Sequence, residues 1–362
     1  MNRRDFLKTT GTAALATATL PAWAQAATGK KITVALVGVA HIHTPGYVGL
    51  LQKRADVRVK YVWDHDDARA EKRAQETGAE AVADVQKIWA DPEVTLVVIL
   101  SETNRHHDLV LAAAAAGKSM FVEKPLGVTS RESLAMADAI EKAGVKFNTG
   151  YFQRTDANHL FLKNEIARGN FGTITRVRAS NCHNGALKGW FDTDWRWMAD
   201  PTIAGIGGFG DLGTHKLDIL MWLLGDVAAV TGDIRAVTHR YDDCDETGEA
   251  LIRFKSGVIG TLGAGWVDIE DPVKLLISGT TGHAVVFNDK LYYRSEKVEN
   301  SDSRKPVANL PAAPKPPLAQ LLDAVAGDTG QPLVPVREAA ARVKVMEAIY
   351  HAAKKQAWVE VG

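Results

Sequence analysis

The stretch that decides the fold covers residues 32–43, ITVALV followed by GVAHIH. The first six residues, Ile32–Val37, are nearly all apolar, which is typical of a strand buried on both faces of a parallel sheet. A glycine follows directly. A second apolar run, Val57–Trp63, comes next, and residues 68–77 then show a helical pattern. The chain therefore begins its fold by alternating strand and helix.

This alternation continues to about residue 150. An apolar run at residues 94–100 precedes an alanine-rich helix at 108–116, and Gly117 ends that helix as a C-cap glycine does. A strand at 120–122 and a helix opened by Ser130 follow. Strand, helix and strand in this order predict a doubly wound parallel sheet, a Rossmann-type α/β domain spanning residues 30–150.

The pattern changes to period two after residue 150. Alternating runs at residues 173–178, 249–254 and 258–262 are separated by short turns. We expect a C-terminal α+β domain at residues 151–362, with a large, mainly antiparallel sheet. Five prolines make residues 299–317 an extended surface segment. A final helix at 336–354 and a short strand at 358–361 complete the prediction.

Residues 1–29 predict an export signal rather than part of the fold. The paired arginines Arg3 and Arg4 precede a weakly apolar run at residues 11–20, and small residues allow cleavage after Ala24 or Ala26. The alternative is a frayed cytosolic tail. We expect recognition by the twin-arginine export machinery and a periplasmic or otherwise exported protein. No later run approaches the roughly twenty apolar residues of a membrane span, so we expect no membrane partner for the mature form.

Composition points to a small-molecule partner. Lysine plus arginine and aspartate plus glutamate each total 43, and no basic stripe is present, so nucleic acid is not expected. The only two cysteines, Cys182 and Cys244, lie far apart and lack metal-ligand spacing. Two packed free thiols are expected, with a disulfide as the alternative in an oxidising compartment.

The loop after the first strand stands where a dinucleotide fold carries G-x-G-x-x-G. Gly38 occupies the first glycine position, but Ala40 and His43 occupy the other two, and we expect His43 to shift the start of the following helix. His41 and His43 have a spacing that could bind a metal ion. No third ligand is evident from the sequence, so no metal site is predicted.

Asp64 follows the second strand, where an acidic side chain binds the adenosine ribose. A carboxylate at this position repels a 2′-phosphate, so NAD is the expected cofactor and NADP the alternative. A helix N-cap or a solvated turn would also explain this aspartate.

Three residues suit the oxidation of a carbinol beside a nicotinamide. Lys124 follows a short apolar strand, at the sheet edge where open α/β folds bind ligands. Asp211 and His215 have i, i+4 spacing, which puts both on one face of a helix. An imidazole can take the hydroxyl proton, and an ammonium group stabilises the developing alkoxide. A surface lysine, a helix N-cap and a core histidine would be the structural explanations of the same three residues.

Glu123-Lys124-Pro125 and Asp211-x-x-x-His215-x-x-Asp218 together make the chain resemble the glucose-fructose oxidoreductase / inositol dehydrogenase (Gfo/Idh/MocA) family. Gly117-Lys118 and residues 150–154 (GYFQR) match as well. The resemblance implies that Lys124, Asp211 and His215 are catalytic. The chain departs from the family pattern at four positions. Ala40 and His43 stand in place of glycines, Glu102 stands in place of a proline, and Ile206 interrupts a glycine triplet. The expected cofactor-binding residues are Gly38, Ala40, His41, His43, Asp64, Ser101, His106, Glu123 and Lys124.

The expected substrate is a sugar, a sugar derivative or a cyclitol. Arg154 could clamp its hydroxyls, and Trp197 offers an aromatic face, although ordinary packing would explain this tryptophan equally well. Asp211 and His215 complete the expected substrate-binding set. A structural hydrogen bond would explain His106 adequately.

Export restricts the mechanism, because an exported enzyme meets no free nicotinamide pool. We therefore expect a tightly bound, internally recycled cofactor in an NAD(P)-dependent oxidoreductase, assembled as a homodimer or homotetramer. One alternative is a redox-neutral glycosidase or epimerase that oxidises a ring carbon transiently. The other is a non-catalytic binding protein on the same scaffold.

Overall fold

The computed structural model of the protein describes residues 31–362. The predicted export signal at residues 1–29 lies outside this range and stays a prediction. Within it, the first sheet has the strand order β3-β2-β1-β4-β5-β6, and all of its strand pairs are parallel. Its strands are β1 (Ile32–Val37), β2 (Val57–Trp63), β3 (Glu80–Ala81), β4 (Leu96–Ile99), β5 (Ser119–Val122) and β6 (Phe147–Thr149). The predicted doubly wound sheet is confirmed.

The helices of this part of the chain follow their sequence signals. Asp66 accepts the Arg69 backbone N–H at the start of α2, and Gly78 ends that helix in the left-handed conformation. Thr129 caps α5 in the same way through the Glu132 N–H. The helices are α1 (Thr44–Gln52), α2 (Asp67–Thr77), α3 (Gln86–Ala90), α4 (His106–Ala115) and α5 (Ser130–Ala143).

Strands β1 and β4 are neighbours at the point where the strand order reverses. Open α/β sheets bind ligands at this point, outside the carboxyl ends of the strands. Gly38 leaves β1 with φ +74°, and a Cβ atom added there would lie 2.4 Å from the Cβ of Ser101, which follows β4. The two loops thus approach so closely that only glycine fits at position 38.

The second sheet has eight strands in the order β13-β12-β11-β7-β10-β9-β8-β14. It is mainly antiparallel as predicted, with one parallel pair between β7 and β10. Its strands are β7 (Ile174–Cys182), β8 (Val227–Arg235), β9 (Thr247–Phe254), β10 (Ile259–Gly265), β11 (Val273–Gly279), β12 (Gly282–Phe287), β13 (Lys290–Ser295) and β14 (Val359–Glu360). The remaining helices are α6 (Ala157–Ala167), α7 (Pro201–Ala204), α8 (Gly208–Leu224), α9 (Pro317–Ala326) and α10 (Val336–Lys355).

Helix α8 lies against the second sheet, and nearly all of its residues are buried. Helix α9 returns to the first sheet, where Leu318 and Leu322 are fully buried in the same apolar cluster as β1. Arg54, after α1, forms a buried ion pair with Asp323 of α9 at 2.8 Å. Helix α9 therefore packs on the N-terminal sheet, although its residues lie within the predicted second domain.

None of the described helices is long and apolar enough to cross a membrane. Cys182 and Cys244 are both free thiols, as expected. Burial raises the pKa of each thiol to about 12, so neither is a ready thiolate at neutral pH.

Candidate active site

A small pocket lies between the first loop of the parallel sheet, the end of β5 and the segment before α8. Lys124 follows β5 directly, and Asp211 lies in the first turn of α8. The two halves of the chain therefore each contribute one charged group. The pocket is lined by His41, Thr103, Lys124, Pro125, Trp197, Met198, Ala204, Ile206 and Asp211.

Lys124 and Asp211 form an ion pair inside this pocket. The Lys124 Nζ lies 2.6 Å from Asp211 Oδ1, and the two side chains are 2% and 14% exposed. Trp266 Nε1–H donates to the other carboxylate oxygen at 3.0 Å. Burial alone would raise the pKa of Asp211, but the charge and hydrogen bond of Lys124 lower it below its ordinary value. Asp211 is therefore ionised at neutral pH.

His215 lies one helical turn after Asp211, is buried, and is not among the residues that line the pocket. Its ring contacts Phe152 with centroids 4.8 Å apart, and the Tyr151 ring lies edge-on at 6.3 Å. Burial, followed by the positive charge of Lys124, lowers the pKa of His215 well below its ordinary value. Its Nδ1 is buried and has no hydrogen-bond partner among residues 31–362. The imidazole is therefore neutral at neutral pH, and the same lowering makes it a weaker base than an exposed histidine.

The first turn of α8 is fixed from outside the helix. The Asp245 carboxylate accepts the Phe209 N–H at 2.8 Å, and the Tyr350 hydroxyl accepts the N–H groups of Gly207 and Gly210. A Cβ atom added at Gly207 would lie 2.4 Å from the Asp245 carboxylate. The glycines before Asp211 thus let the helix start close to its capping groups, which sets the position of the turn that carries Asp211.

Trp197 joins the segment before α8 to the first loop. Its indole N–H donates to the Ala40 carbonyl at 3.2 Å, and its ring faces His41 with centroids 6.0 Å apart. The structure therefore places Trp197 in the pocket, next to predicted cofactor-binding residues. Its contact with a substrate stays a prediction.

His41, His43 and Glu123 form a cluster beside the pocket. His43 Nδ1 lies 2.9 Å from Glu123 Oε1, and the Tyr47 hydroxyl donates to the same oxygen at 2.6 Å. The His41 and His43 rings are 4.6 Å apart. His43 turns towards Glu123 and caps α1 only through its backbone. The third potential metal ligand, which the sequence did not reveal, is Glu123.

Asp64 is buried at the end of β2. One of its carboxylate oxygens accepts the Val39 N–H at 2.7 Å, and the other accepts the Asp66 N–H and Arg69. Arg69 also pairs with Glu102 at 2.8 Å. Two carboxylates thus surround one guanidinium at this edge, which disfavours a 2′-phosphate. The ribose contact of Asp64 itself stays a prediction.

Ser101 and His106 support the loop after β4. The His106 ring nitrogens lie within 3.3 Å of the carbonyl oxygens of Ser101, Pro125 and Leu126. Burial lowers the pKa of His106, so its neutral ring ties this loop to the Lys124-Pro125 segment. The structural hydrogen bond expected for His106 is present.

Arg154 is directed elsewhere. Its guanidinium donates to Asp218 at 2.6 and 2.8 Å and to Glu338 at 2.7 Å, and Arg342 donates to Asp218 at 3.0 Å. Arg154 does not line the pocket of Lys124 and Asp211. The structure therefore assigns it to a buried ion-pair network between α8 and α10, and its predicted role as a substrate clamp has no support in this geometry.

Two residues that orient side chains of the site could not be predicted from the sequence. Trp266 follows β10 and orients Asp211, while Tyr47 on α1 orients Glu123. The only sequence signal for Trp266 is its place at the end of an apolar strand. For Tyr47 the helical phase alone does not distinguish a packing role from a polar one.

The fold and pocket define a two-domain protein with a dinucleotide-type parallel sheet and a buried lysine, aspartate and histidine at its ligand-binding edge. Residues 32–151 match the family model described as the oxidoreductase family with an NAD-binding Rossmann fold. Residues 159–285 match the GFO/IDH/MocA C-terminal domain. The chain belongs to the Gfo/Idh/MocA family of NAD-binding oxidoreductases.

Curated relatives act on cyclitols and anhydrosugars. The chain is 28% identical over 241 residues to scyllo-inositol 2-dehydrogenase (NAD(+)) of Bacillus subtilis, a match that covers 65% of this chain and 67% of the relative. It is also 28% identical over 244 residues to levoglucosan dehydrogenase of Pseudarthrobacter phenanthrenivorans, covering 60% of this chain and 61% of the relative. Each match thus spans no more than about two thirds of the length of the relative.

The solved structure of levoglucosan dehydrogenase in complex with NADH is similar across nearly the whole chain. The TM-score is 0.76 at 23% sequence identity, covering 92% of this chain and 100% of the other. At this identity the similarity establishes the fold. It confirms the combination of the parallel and the mainly antiparallel sheet.

Proposed function

We propose that the protein is an NAD-dependent dehydrogenase that oxidises a CH–OH group of a sugar, a sugar derivative or a cyclitol. The observation that carries the proposal is the buried Lys124–Asp211 ion pair, with neutral His215 one helical turn away. These groups can remove a hydroxyl proton and stabilise the alkoxide. The inositol and levoglucosan dehydrogenases among the relatives support this substrate class.

The loop residues fit a dinucleotide. Gly38 lies at the switch point of the sheet and has no room for a side chain. Bound NAD supplies the hydride acceptor. The carboxylates of Asp64, after β2, and Glu102, after β4, both pair with Arg69 and favour NAD over NADP.

The chain itself handles the proton. Neutral His215 accepts the proton of the substrate hydroxyl, and the Asp211 carboxylate stabilises the imidazolium that forms. Lys124 lines the pocket, so its ammonium group can donate to the substrate oxygen as negative charge develops there. Tyr151 and Phe152 shield the His215 ring from water.

We further propose that the protein is exported through the twin-arginine pathway, works outside the cytoplasm as a homodimer or homotetramer, and keeps its cofactor bound between turnovers. The paired arginines and the Ala24 and Ala26 cleavage sites support the export proposal. N-terminal sequencing of protein from the periplasm should show a mature chain that begins directly after Ala24 or Ala26. Cytoplasmic protein with an intact N-terminus would exclude export.

The activity is tested on holoprotein purified from its native compartment. Inositols, anhydrosugars and glycosides are added one at a time, while the absorbance of bound cofactor and the products are followed. Net oxidation of a carbinol supports the proposal. Glycoside cleavage or epimerisation without net redox would replace it with the redox-neutral alternative, and binding without any product would leave a binding protein.

A further inference from the structure

The His41–His43–Glu123 cluster has the composition of a metal site. Each residue offers one ligand atom, and the three atoms lie within 4.8 Å of one another. Two imidazole nitrogens with one carboxylate oxygen are the protein ligands of several catalytic zinc and non-haem iron sites. The histidines come from the loop after β1 and the glutamate follows β5, so the fold rather than the sequence brings the set together.

The carboxylate of Glu123 is already oriented. Its side chain is fully buried, Oε1 accepts the Tyr47 hydroxyl at 2.6 Å, and Oε2 accepts the Lys124 backbone N–H at 2.6 Å. A Cβ atom added at Gly150 would lie 2.6 Å from Oε2, so this glycine leaves space for the carboxylate. Such outer hydrogen bonds are what fix a ligating carboxylate in known metal sites.

The surrounding charge also suits a cation. The nearest partner of the Lys124 ammonium group is Asp211 at 2.6 Å, so among the described residues the only side chain in an ion pair with the Glu123 carboxylate is His43. Metal–ligand bonds of about 2.0–2.2 Å require ligand atoms about 3–3.5 Å apart. His43 Nδ1 and Glu123 Oε1, at 2.9 Å, are already close to this separation, and His41 needs to move by roughly 1 Å.

We propose that His41, His43 and Glu123 bind one divalent transition-metal ion of the Zn²⁺ type, with its open coordination positions facing the pocket that His41 lines. Binding displaces the Nδ1 proton that His43 shares with Glu123. It also competes with the bond from the His43 backbone N–H to His41 Nδ1, at 3.1 Å. Because these hydrogen bonds are lost, we expect weaker binding than at a closed structural zinc site.

His41, His43 and Glu123 are also predicted cofactor-binding residues, but metal binding is measured without turnover, so its failure is distinguishable from failure of the proposed dehydrogenase activity. The full-length protein is freed of metal with a chelator and titrated with Zn²⁺ in a calorimeter. Co²⁺ in a parallel titration reports the ligands through its visible absorption. We expect one ion per chain, with a Co²⁺ spectrum that indicates nitrogen and oxygen ligands.

Variants assign the ligands. His41→Ala, His43→Ala and Glu123→Gln should each weaken Zn²⁺ binding by about tenfold or more, on the scale of altered metal sites. His351→Ala, which removes an exposed imidazole on α10, is the matched control and should bind like the wild type. Circular dichroism checks that each variant folds. If Glu123→Gln does not fold, the two histidine variants alone test whether these residues bind the metal ion.

Two results would overturn the proposal. The first is metal-free protein that takes up neither Zn²⁺ nor Co²⁺. The second is a folded His41→Ala/His43→Ala double variant that binds Zn²⁺ as tightly as the wild type, since the ion would then lie elsewhere.

Discussion

Lys124, Asp211 and His215 are linked through their charges. The ammonium group keeps the carboxylate ionised, and together with burial it keeps the imidazole neutral. A neutral imidazole next to a carboxylate is suited to accept a proton and then to hold the resulting charge. Lys124 thus favours the ionised state of Asp211 and the neutral state of His215.

Replacing the proposed base or the cation should slow the hydride step. We expect His215→Ala and Lys124→Ala each to lower its rate by about two orders of magnitude or more. Asp211→Asn should cost less, because it keeps the shape and some hydrogen bonds. Single-turnover reduction of bound cofactor is the measurement. Near wild-type rates in both folded alanine variants would show that the chemistry lies on other residues.

The Trp266 indole should act through Asp211 rather than through the substrate. Its N–H donates to the carboxylate at 3.0 Å, so Trp266→Phe removes one bond to a charged group and keeps an apolar ring. We expect the hydride step to slow by about tenfold with little change in KM. Trp358→Phe, at an exposed tryptophan, is the control. A raised KM with an unchanged rate would instead indicate a binding role for Trp266.

Lys124, Asp211 and His215 could be predicted from the sequence as a catalytic set because their signals are local. Asp211 and His215 are one helical turn apart, and Lys124 follows a recognisable strand. Trp266 and Tyr47 were missed because each reaches its carboxylate across more than fifty residues of chain. Arg154 was assigned to the substrate because no local pattern reveals its ion pairs with Asp218 and Glu338.

At the level of helices and strands, the bounds of β1 and β2 agree with the prediction to the residue. Strand β4 is shorter than the apolar run at 94–100, because Val94 and Leu100 are buried in the segments that flank the strand. Apolar runs thus report burial, and hydrogen bonding decides the ends of the strand. The capping of α8 by Asp245 and Tyr350 is a tertiary contact that no local pattern shows.

The turn between β1 and α1 should be intolerant of any side chain at Gly38. A Cβ atom there would lie 2.4 Å from Ser101, in addition to the strain of a positive φ. Gly78 has a similar φ of +68°, but a Cβ atom added there would meet no other atom within 4 Å. A substitution at Gly78 therefore measures the backbone strain without the steric clash. We expect Gly78→Ala to lower the free energy of unfolding by about 1 kcal/mol and Gly38→Ala by about 3 kcal/mol, measured by urea unfolding.

Equal losses in the two variants would contradict this reasoning, since the close approach of the two loops would then carry no cost. Cofactor content, measured on the same samples, should fall in Gly38→Ala and stay unchanged in Gly78→Ala. This difference is expected because Gly38 is the first residue of the loop between β1 and α1, which is predicted to bind the cofactor. Gly78 lies at the end of α2 and is not part of that loop.

Across the whole molecule, the two halves are joined by buried polar contacts. The Arg54–Asp323 ion pair holds α9 on the first sheet, and the Lys124–Asp211 pair joins the sheets at the pocket. Sequence patterns assign α9 to the second domain because they follow chain order. The amphipathic face of α9 shows that it is buried but not against which sheet.

Several buried histidines should make the stability depend on pH. Burial, followed by the charge of Lys216, lowers the pKa of His159 to about 4, and burial lowers that of His106 as well. In the unfolded chain both titrate near 6.5. Below pH 6.5 the unfolded chain therefore binds more protons than the folded protein, and stability falls as the pH falls towards 4.

Urea unfolding between pH 7.5 and pH 5 tests this expectation. Unfolded carboxylates titrate near pH 4, so histidines dominate this window, and each contributes up to about 1.4 kcal/mol per pH unit once the pH lies below 6.5. His159→Asn should reduce the slope by about one proton, while His351→Ala, at an exposed histidine, should leave it unchanged. A stability that is constant down to pH 5 would mean that the buried histidines are protonated in the folded protein. The inference that His215 is neutral would then lose its support, and so would its proposed role as the base.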